Sequence, residues 1–202
     1  GSWLTSWLLK LGANVYGISI DIPTKPSMYE VLSLKNRITH YTEDIRNSGS
    51  IIQIVKEINP DYVFHLAAQA LVPLSYSNPL ETISTNIMGT ANILESMKQL
   101  NKACIGIIIT SDKCYNNVEW PWGYRETDEI GGKDIYSGSK GAAELIFKSY
   151  YSSFFNKDSN TKVATARAGN VIGGGDWAEN RLVPDCIRAW SIEDTVEIRS
   201  PN

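Results

Sequence analysis

The alternation of short apolar runs with longer amphipathic segments is the feature that most limits what this chain can fold into. The runs YVFHLAA, ACIGIIIT and KVATARAG have the length and mostly apolar character of buried strands. Between them, SIIQIVKEINPD, LETISTNIMGTANILESMKQL and YSGSKGAAELIFKSYYSSF repeat apolar residues at helical spacing. Apolar strands separated by helices belong in a parallel sheet that is covered on both faces. The sequence therefore predicts an α/β fold with a doubly wound parallel sheet.

Both ends of the chain favour a longer polypeptide. The segment WLTSWLLKLG predicts a helix that ends at Gly12, and NVYGISID predicts the strand after it. A doubly wound nucleotide-binding fold starts with a strand and a glycine-rich turn before that helix, whereas this chain starts at Gly1. Gly1-Ser2 is also the dipeptide that a cloning linker leaves. We expect a nucleotide-binding domain over residues 1–168 that lacks its first strand.

The sequence loosens after Gly169 into NVIGGGDWAENRLVP, whose three consecutive glycines suit a loop that leaves the sheet. A terminal helix that would close a second domain does not follow. We therefore expect residues 169–202 to begin a smaller substrate-binding lobe that is incomplete at its C-terminal end.

The composition favours small-molecule chemistry. The 19 basic and 22 acidic residues are scattered, so neither a nucleic-acid partner nor an acidic membrane partner is predicted. No apolar run approaches the roughly 20 residues of a membrane helix, and no signal peptide is present, so we expect a cytoplasmic protein. Cys104, Cys114 and Cys186 are odd in number and far apart, which predicts core or edge residues and neither a disulfide framework nor a metal site.

Polar or small residues follow the predicted strands at the edge where parallel sheets bind their ligands. Asp21 follows the strand NVYGISI and could accept hydrogen bonds from a ribose, although a turn residue before Pro23 is the more ordinary interpretation. Ala67 and Ala68 follow YVFHL and are small enough for a planar group to lie against the backbone. His65 is more typical of a hydrogen-bonded strand end than of a catalyst.

The most informative pattern is YSGSK, in which Tyr136 and Lys140 stand one helical turn apart. A cation beside a phenol favours phenolate and lowers the phenol's pKa from about 10 toward the range of a general base. A Tyr and a Lys four residues apart are common on helices, so the position of this pair along the chain is the stronger evidence. It follows a strand that ends at Thr110-Ser111, where the Ser111 hydroxyl could share a substrate proton with Tyr136.

Seven segments resemble the extended short-chain dehydrogenase/reductases and, within them, the nucleotide-sugar 4,6-dehydratases. They are GSWLTSWL, HLAAQALVPLSY, STNIMGT, ITSDKCYNN, WGYRE, YSGSKGAAE and RAGNVIGGGDWAENRLVPD, which together span almost the whole chain. The resemblance is greatest to the branch that acts on CDP-glucose. It implies a Rossmann-type sheet, NAD as cofactor, a nucleotide-sugar substrate and a homodimer or higher homo-oligomer.

The resemblance also implies roles for particular residues. Gly1 would be the last glycine of the dinucleotide-binding loop, and Asn86 would lie behind the site. The implied cofactor-binding residues are Gly1, Asp21, Asp44, Ile45, Ala67, Ala68, Tyr136 and Lys140. Asn170 and Arg181 would face the substrate. The implied catalytic residues are Ser111, Asp112, Lys113, Tyr136 and Lys140.

The pair Asp112-Lys113 departs from the related dTDP- and GDP-sugar dehydratases, which have Asp-Glu at this place. In those enzymes the Asp protonates the departing 6-hydroxyl and the Glu removes the C5 proton, which is acidic once C4 is a ketone. A lysine can serve as that base only while neutral, so we expect desolvation or a nearby positive charge to act on Lys113. The alternative interpretation is a solvated turn pair.

Two other functions remain open from the sequence. A sugar-nucleotide 4-epimerase on the same fold would keep Tyr136 and Lys140 but would not need Asp112-Lys113. A catalytically silent NAD-binding protein would not need an intact Ser111. The resemblance therefore implies a hydro-lyase that converts CDP-glucose to CDP-4-keto-6-deoxyglucose, and a dehydratase for another nucleotide sugar is the remaining alternative within the family.

Overall fold

The computed structural model describes residues 1–156 and 159–197, in which strands alternate with helices. The described strands are β1 (Tyr16–Ser19), β2 (Thr39–Thr42), β3 (Tyr62–His65), β4 (Cys104–Ser111) and β5 (Thr161–Ala168). The described α-helices are α1 (Ser2–Lys10), α2 (Met28–Val31), α3 (Ser48–Ile58), α4 (Val72–Ser77), α5 (Pro79–Ile83), α6 (Gly89–Lys98), α7 (Ile135–Phe154) and α8 (Leu182–Ser191). Short 3-10 helices span Leu34–Asn36 and Asp112–Cys114.

The strands β3, β4 and β5 form a parallel sheet with β4 at its centre. Ile108 lies beside His65 on one side and beside Thr165 on the other. At the carboxyl end of the sheet, Ser111 pairs with Ala168. The parallel order confirms the predicted α/β fold class. The strands β1 and β2 form a second, two-stranded sheet.

The chain divides into two compact units. One contains residues 1–17, 21–41 and 170 onward, and the other contains residues 18–20 and 42–169. In the first unit, the Trp3 indole Nε1 donates a hydrogen bond to the carbonyl of Gly174 at 2.9 Å. Residues 198–202 of the predicted second lobe lie outside the described residues. The predicted division at residues 168 and 169 stays a prediction.

The hydrophobic core lies in the second unit, where α3 and α6 pack on each other beside the parallel sheet. Leu94, Met97 and Ile108 are fully buried at its centre. Gly106 allows this packing, because a Cβ at that position would lie 2.4 Å from the Met97 Cε atom. The full set of buried core residues is Ile45, Ile51, Val55, Ile93, Leu94, Met97, Cys104, Ile108, Phe155 and Val163.

The long helix predicted over LETISTNIMGTANILESMKQL is interrupted by a π-helical turn, Ser84–Met88, between α5 and α6. Asn86 lies in this turn and is buried. Its Oδ1 accepts a hydrogen bond from the Gln69 amide at 2.8 Å, and its Nδ2 donates to Ser139 Oγ at 2.8 Å. The prediction of one continuous helix is therefore wrong at this turn. The wider π-helical turn directs Asn86 toward both the loop after β3 and α7, where these hydrogen bonds form.

Two further elements differ from the predictions. The strand β2 was not predicted, because THYT is short and has no clear alternation of apolar and polar residues. Residues 182–184, at the end of the predicted loop, form the first turn of α8. A proline is tolerated there, because the backbone N–H groups of the first helical turn have no intrahelical partner.

A glycine pair on α7 tests how tightly this helix is packed. A Cβ on Gly141 would lie 2.9 Å from the Gly131 carbonyl oxygen, whereas a Cβ on Gly138 would have no neighbour within 4 Å. We expect Gly141→Ala to lower the free energy of unfolding by about 1–3 kcal/mol through overpacking. Gly138→Ala should leave it unchanged or raise it by up to about 1 kcal/mol, because alanine favours the helix. Urea unfolding measures both, and equal losses would contradict the close contact at Gly141.

Candidate active site

The carboxyl end of β4 carries the candidate catalytic turn. Ser111 ends the strand and is buried, whereas Asp112 and Lys113 follow it and are exposed. The Ser111 hydroxyl donates a hydrogen bond to Asp112 Oδ1 at 3.0 Å and accepts one from the Lys113 amide at 3.2 Å. The turn therefore buries its serine and presents a carboxylate and an ammonium to solvent. The desolvation that we expect a lysine base to need is not supplied by the described residues around Lys113.

The helix α7 carries the predicted Tyr-Lys pair and packs against the Asp112–Cys114 turn. Its first turn is fixed by Asp134, whose carboxylate accepts hydrogen bonds from the Ser137 amide at 2.9 Å and the Ser137 hydroxyl at 2.6 Å. Tyr136 and Lys140 are both buried, and the Lys140 Nζ lies 6.0 Å from the centre of the Tyr136 ring. The structure thus brings a cation and a phenol together beside the turn.

Lys140 is a buried cation, with 7% of its surface exposed. Burial lowers the pKa of its ammonium, because removal from water disfavours the charged form. Within the described parts of the chain, no carboxylate forms an ion pair with it. Its charge and its N–H donors can therefore act on the phenol of Tyr136 or on a bound ligand.

His65 is buried at the end of β3, where its Nε2 lies 3.1 Å from the Thr90 hydroxyl. That hydroxyl donates its proton to the Asn86 carbonyl at 2.7 Å, so the imidazole Nε2 is the donor in the first bond. Burial and, second, the charge of Lys140 lower the pKa of His65 to about 4. The histidine is therefore neutral at pH 7, and the hydrogen-bonded strand-end interpretation is confirmed.

Four of the predicted cofactor-binding residues, Asp44, Ile45, Ala67 and Ala68, lie in the second unit. The Asp44 carboxylate accepts hydrogen bonds from the Arg46 guanidinium at 2.5 and 2.8 Å, which lowers the pKa of Asp44. Ile45 packs in the core, and its carbonyl accepts a hydrogen bond from Asn92 at 2.9 Å. A ligand here would therefore meet the backbone of Ile45 and not its side chain. Ala67 and Ala68 follow β3 and are half-buried.

The remaining predicted residues belong to the other unit. Gly1 is the N-cap of α1, and a Cβ there would have no neighbour within 4 Å. Asp21 and Asn170 are exposed. Arg181 is the N-cap of α8 and lies 3.7 Å from the Asp176 carboxylate. Its Nε is the atom that faces this carboxylate, and it has no closer hydrogen-bond partner among residues 1–156 and 159–197.

Sequence reasoning missed a buried ion pair beside the turn. The Arg167 guanidinium lies 2.9 Å from the Glu144 carboxylate, and these side chains are 14% and 4% exposed. Arg167 also borders an open cleft of about 530 Å³, which is lined by Asp112, Tyr115, Tyr124, Glu126, Thr165, Ala166 and Arg167. Two signals for this ion pair were present in the sequence. Glu144 lies one helical turn after Lys140, and Arg167 lies within a predicted buried strand.

Three further findings concern membrane spans, metal ligands and cysteines. None of the helices in the described residues has the length and apolar character of a membrane span. In the same residues, no group of three His, Cys, Asp or Glu side chains could hold a metal ion. The cysteines are free thiols, and Cys104 and Cys114 are buried, as predicted for core residues. Burial raises the pKa of the Cys114 thiol to about 11, so this thiol stays protonated.

The parallel sheet, the serine at its edge and the Tyr136–Lys140 pair define a domain of the short-chain dehydrogenase/reductase type. Residues 1–169 match the family described as GDP-mannose 4,6 dehydratase, and the chain belongs to this family. Along its whole length it is 48% identical to CDP-glucose 4,6-dehydratase of Salmonella typhimurium, of which it covers 57%. It is 31% identical to CDP-paratose 2-epimerase of Salmonella typhi, over 78% of this chain and 48% of that protein.

Solved structures agree on the fold. The UDP-glucuronic acid 4-epimerase of Bacillus cereus, in complex with UDP-glucuronic acid and NAD, superposes with a TM-score of 0.83. It is 24% identical, and the match covers 100% of this chain and 62% of the epimerase. The chain therefore spans about half the length of the curated relatives that it matches.

The buried His65 predicts how stability depends on pH. Because its pKa is about 4 in the folded protein and about 6.5 when unfolded, the unfolded chain binds the proton first as the pH falls. We expect His65 to destabilise the protein by about 3 kcal/mol as the pH falls from 6.5 to 4. This penalty is absent above pH 6.5. The variant His65→Gln should lose this component in urea unfolding from pH 7 to pH 4, whereas His40→Gln controls for loss of a histidine elsewhere. Parallel curves for wild type and His65→Gln would contradict the buried neutral imidazole.

Proposed function

We propose that the protein is an NAD-dependent CDP-glucose 4,6-dehydratase that forms CDP-4-keto-6-deoxyglucose. The observation that carries the proposal is the exposed Asp112–Lys113 pair on a turn that packs against α7, the helix of Tyr136 and Lys140. A 4-epimerase needs the Tyr-Lys pair but no second acid and base. The 48% identity to a CDP-glucose 4,6-dehydratase supports the same choice.

The residues present fit NAD. Lys140 is a buried ammonium without a carboxylate partner in the described residues, which suits contact with the hydroxyls of a nicotinamide ribose. Gly1 is the N-cap of α1, where a pyrophosphate would meet the first backbone N–H groups of the helix. Asp21 would accept hydrogen bonds from the adenosine ribose, with Asp44, Ile45, Ala67 and Ala68 along the dinucleotide. When bound, NAD would accept a hydride from C4 of the hexose and return it at C6, without net consumption.

Tyr136 and its neighbours would carry out the oxidation half of the reaction. The Tyr136 phenolate accepts the proton of the 4-hydroxyl, and the nearby charge of Lys140 favours that phenolate. Ser111 would hydrogen-bond the same hydroxyl. Its hydroxyl donates to Asp112 in the free protein, so it must rotate when substrate binds. Catalytic hydrogen bonds often tighten only in the substrate complex.

Asp112 and Lys113 would carry out the elimination. Lys113 takes the C5 proton, and the C5–H electron pair forms the C5–C6 double bond. Asp112 must enter this step in its protonated form, and it gives its proton to the departing 6-hydroxyl, which leaves as water. Lys113 is exposed here, so the bound sugar nucleotide must contribute the desolvation that keeps its amine neutral. Arg181, whose guanidinium faces Asp176 in the free protein, and Asn170 would bind the phosphates or the sugar. Cytoplasmic location and homo-oligomeric assembly stay predictions.

Product analysis tests the proposal directly. The full-length protein should be incubated with NAD and, separately, CDP-glucose, dTDP-glucose, UDP-glucose and GDP-mannose. We expect a 4-keto-6-deoxy product from CDP-glucose, because Asp-Lys occurs in that branch of the resembled enzymes. Mass spectrometry detects the loss of water. Formation of a 4-epimer without loss of water would favour the epimerase alternative.

Tyr136→Phe removes the proposed base and keeps the ring. We expect turnover to fall by roughly 10² to 10⁴, the contribution that is typical of a general base, while NAD affinity stays nearly unchanged. Tyr151→Phe on the exposed part of the same helix is the matched control. Near-normal turnover of Tyr136→Phe in steady-state assays would remove this tyrosine from the mechanism.

Lys113→Met separates elimination from oxidation, since it keeps a long unbranched side chain without the amine. In a single turnover we expect reduced nicotinamide and a 4-keto-hexose to accumulate without 6-deoxy product. Exchange of the C5 hydrogen with deuterated solvent should also be lost. Lys133→Met, in the exposed segment before α7, is the matched control. Exchange and product formation close to the wild-type rate would assign the base to another residue.

A further inference from the structure

Glu144 continues the catalytic face of α7. Tyr136, Lys140 and Glu144 are spaced by four residues, so their side chains lie on one side of the helix. The Glu144 carboxylate is buried and accepts hydrogen bonds from the Thr110 hydroxyl on β4 and, at 3.4 Å, from the Thr165 hydroxyl on β5. One carboxylate therefore joins the catalytic helix to two strands of the sheet.

Arg167 connects Glu144 to Tyr115, the residue that follows the Asp112–Cys114 turn. Its Nη2 donates to Glu144 at 2.9 Å, and its Nη1 donates to the Glu126 carbonyl at 3.2 Å. The guanidinium carbon lies 4.8 Å from the centre of the Tyr115 ring, an arrangement that is typical of a cation–π contact. Tyr115 in turn stacks on Tyr124, with ring centres 4.9 Å apart.

We infer that Glu144 and Arg167 are positioning residues that hold Asp112 and Lys113 at a fixed distance from the Tyr-Lys pair. Both ends of the turn are held, because Thr110 directly precedes Ser111 and Tyr115 directly follows Cys114. The inference rests on the proposed function for its catalytic consequence. Tyr136 and Lys140 lie on α7 itself, and among the oxidation residues only Ser111 adjoins the turn. Loosening the turn therefore slows elimination more than hydride transfer.

The size of the effect follows from the geometry of proton transfer. A displacement of about 1 Å can cost roughly 10² in rate when the reacting groups are held for attack. The turn carries both the acid and the base of the elimination, so a shift of the turn moves them together. Tyr136 and Lys140 do not move with it, because their helix keeps its own hydrogen bonds and its Asp134 cap.

Two pairs of variants test the inference. Thr110→Val removes the hydroxyl that binds Glu144, whereas Thr110→Ser keeps it. Tyr115→Leu removes the ring that contacts Arg167, whereas Tyr115→Phe keeps it. In single turnovers with CDP-glucose, we expect Thr110→Val and Tyr115→Leu to slow C5 exchange by about tenfold or more. Formation of reduced nicotinamide should change by less than about threefold, and the Ser and Phe variants should restore elimination.

Hydrogen–deuterium exchange without substrate tests the positioning independently of the reaction. We expect faster exchange of the amides of residues 111–115 in Thr110→Val and Tyr115→Leu than in their matched variants. Unchanged exchange, or equal losses of elimination and hydride transfer, would overturn the inference. If the wild-type protein makes no 6-deoxy product, the proposed function fails, and the exchange data still decide whether Glu144 and Arg167 hold the turn.

Discussion

The position of the turn at the carboxyl end of β4 depends on the contacts of the buried Glu144 carboxylate. A charge in the protein interior is tolerated only when it is paired and hydrogen-bonded. Arg167 and the hydroxyls of Thr110 and Thr165 supply those partners. Leaving one member of such a pair unpartnered typically costs about 3–5 kcal/mol, so α7, β4 and β5 keep one relative position. That position sets the distance between the face of α7 and the turn after Ser111.

The candidate site combines two electrostatic environments. Lys140 is buried beside Tyr136, and its positive charge favours the phenolate form of that tyrosine. Burial keeps the neighbouring His65 neutral. The Asp112 and Lys113 side chains are exposed on the neighbouring turn. Shifted pKa values such as those of Lys140 and His65 cluster at functional sites. A buried pair for oxidation and an accessible pair for elimination match the two halves of the proposed reaction.

The sequence predicted the elements whose apolar pattern is strong, namely the strands of the parallel sheet and the helices α1, α3 and α7. It also predicted that Tyr136 and Lys140 share a helix face. It did not predict the π-helical turn, because the inward direction of Asn86 depends on Gln69 and Ser139, which are distant in sequence. Nor did it predict the Glu144–Arg167 pair. These residues are 23 positions apart on separate elements, and each charge taken alone is typical of a solvated surface.

The proposed function requires that oxidation at C4 and reduction at C6 occur on one hexose within one site. CDP-glucose that carries deuterium at C4 tests it most directly when the full-length protein, NAD and unlabelled water are present. The account predicts a 4-keto-6-deoxy product with the deuterium recovered at C6 of the same molecule, as located by NMR. Deuterium released to solvent, retained at C4 of an epimerised sugar, or transferred to the cofactor pool without a 6-deoxy product would contradict it.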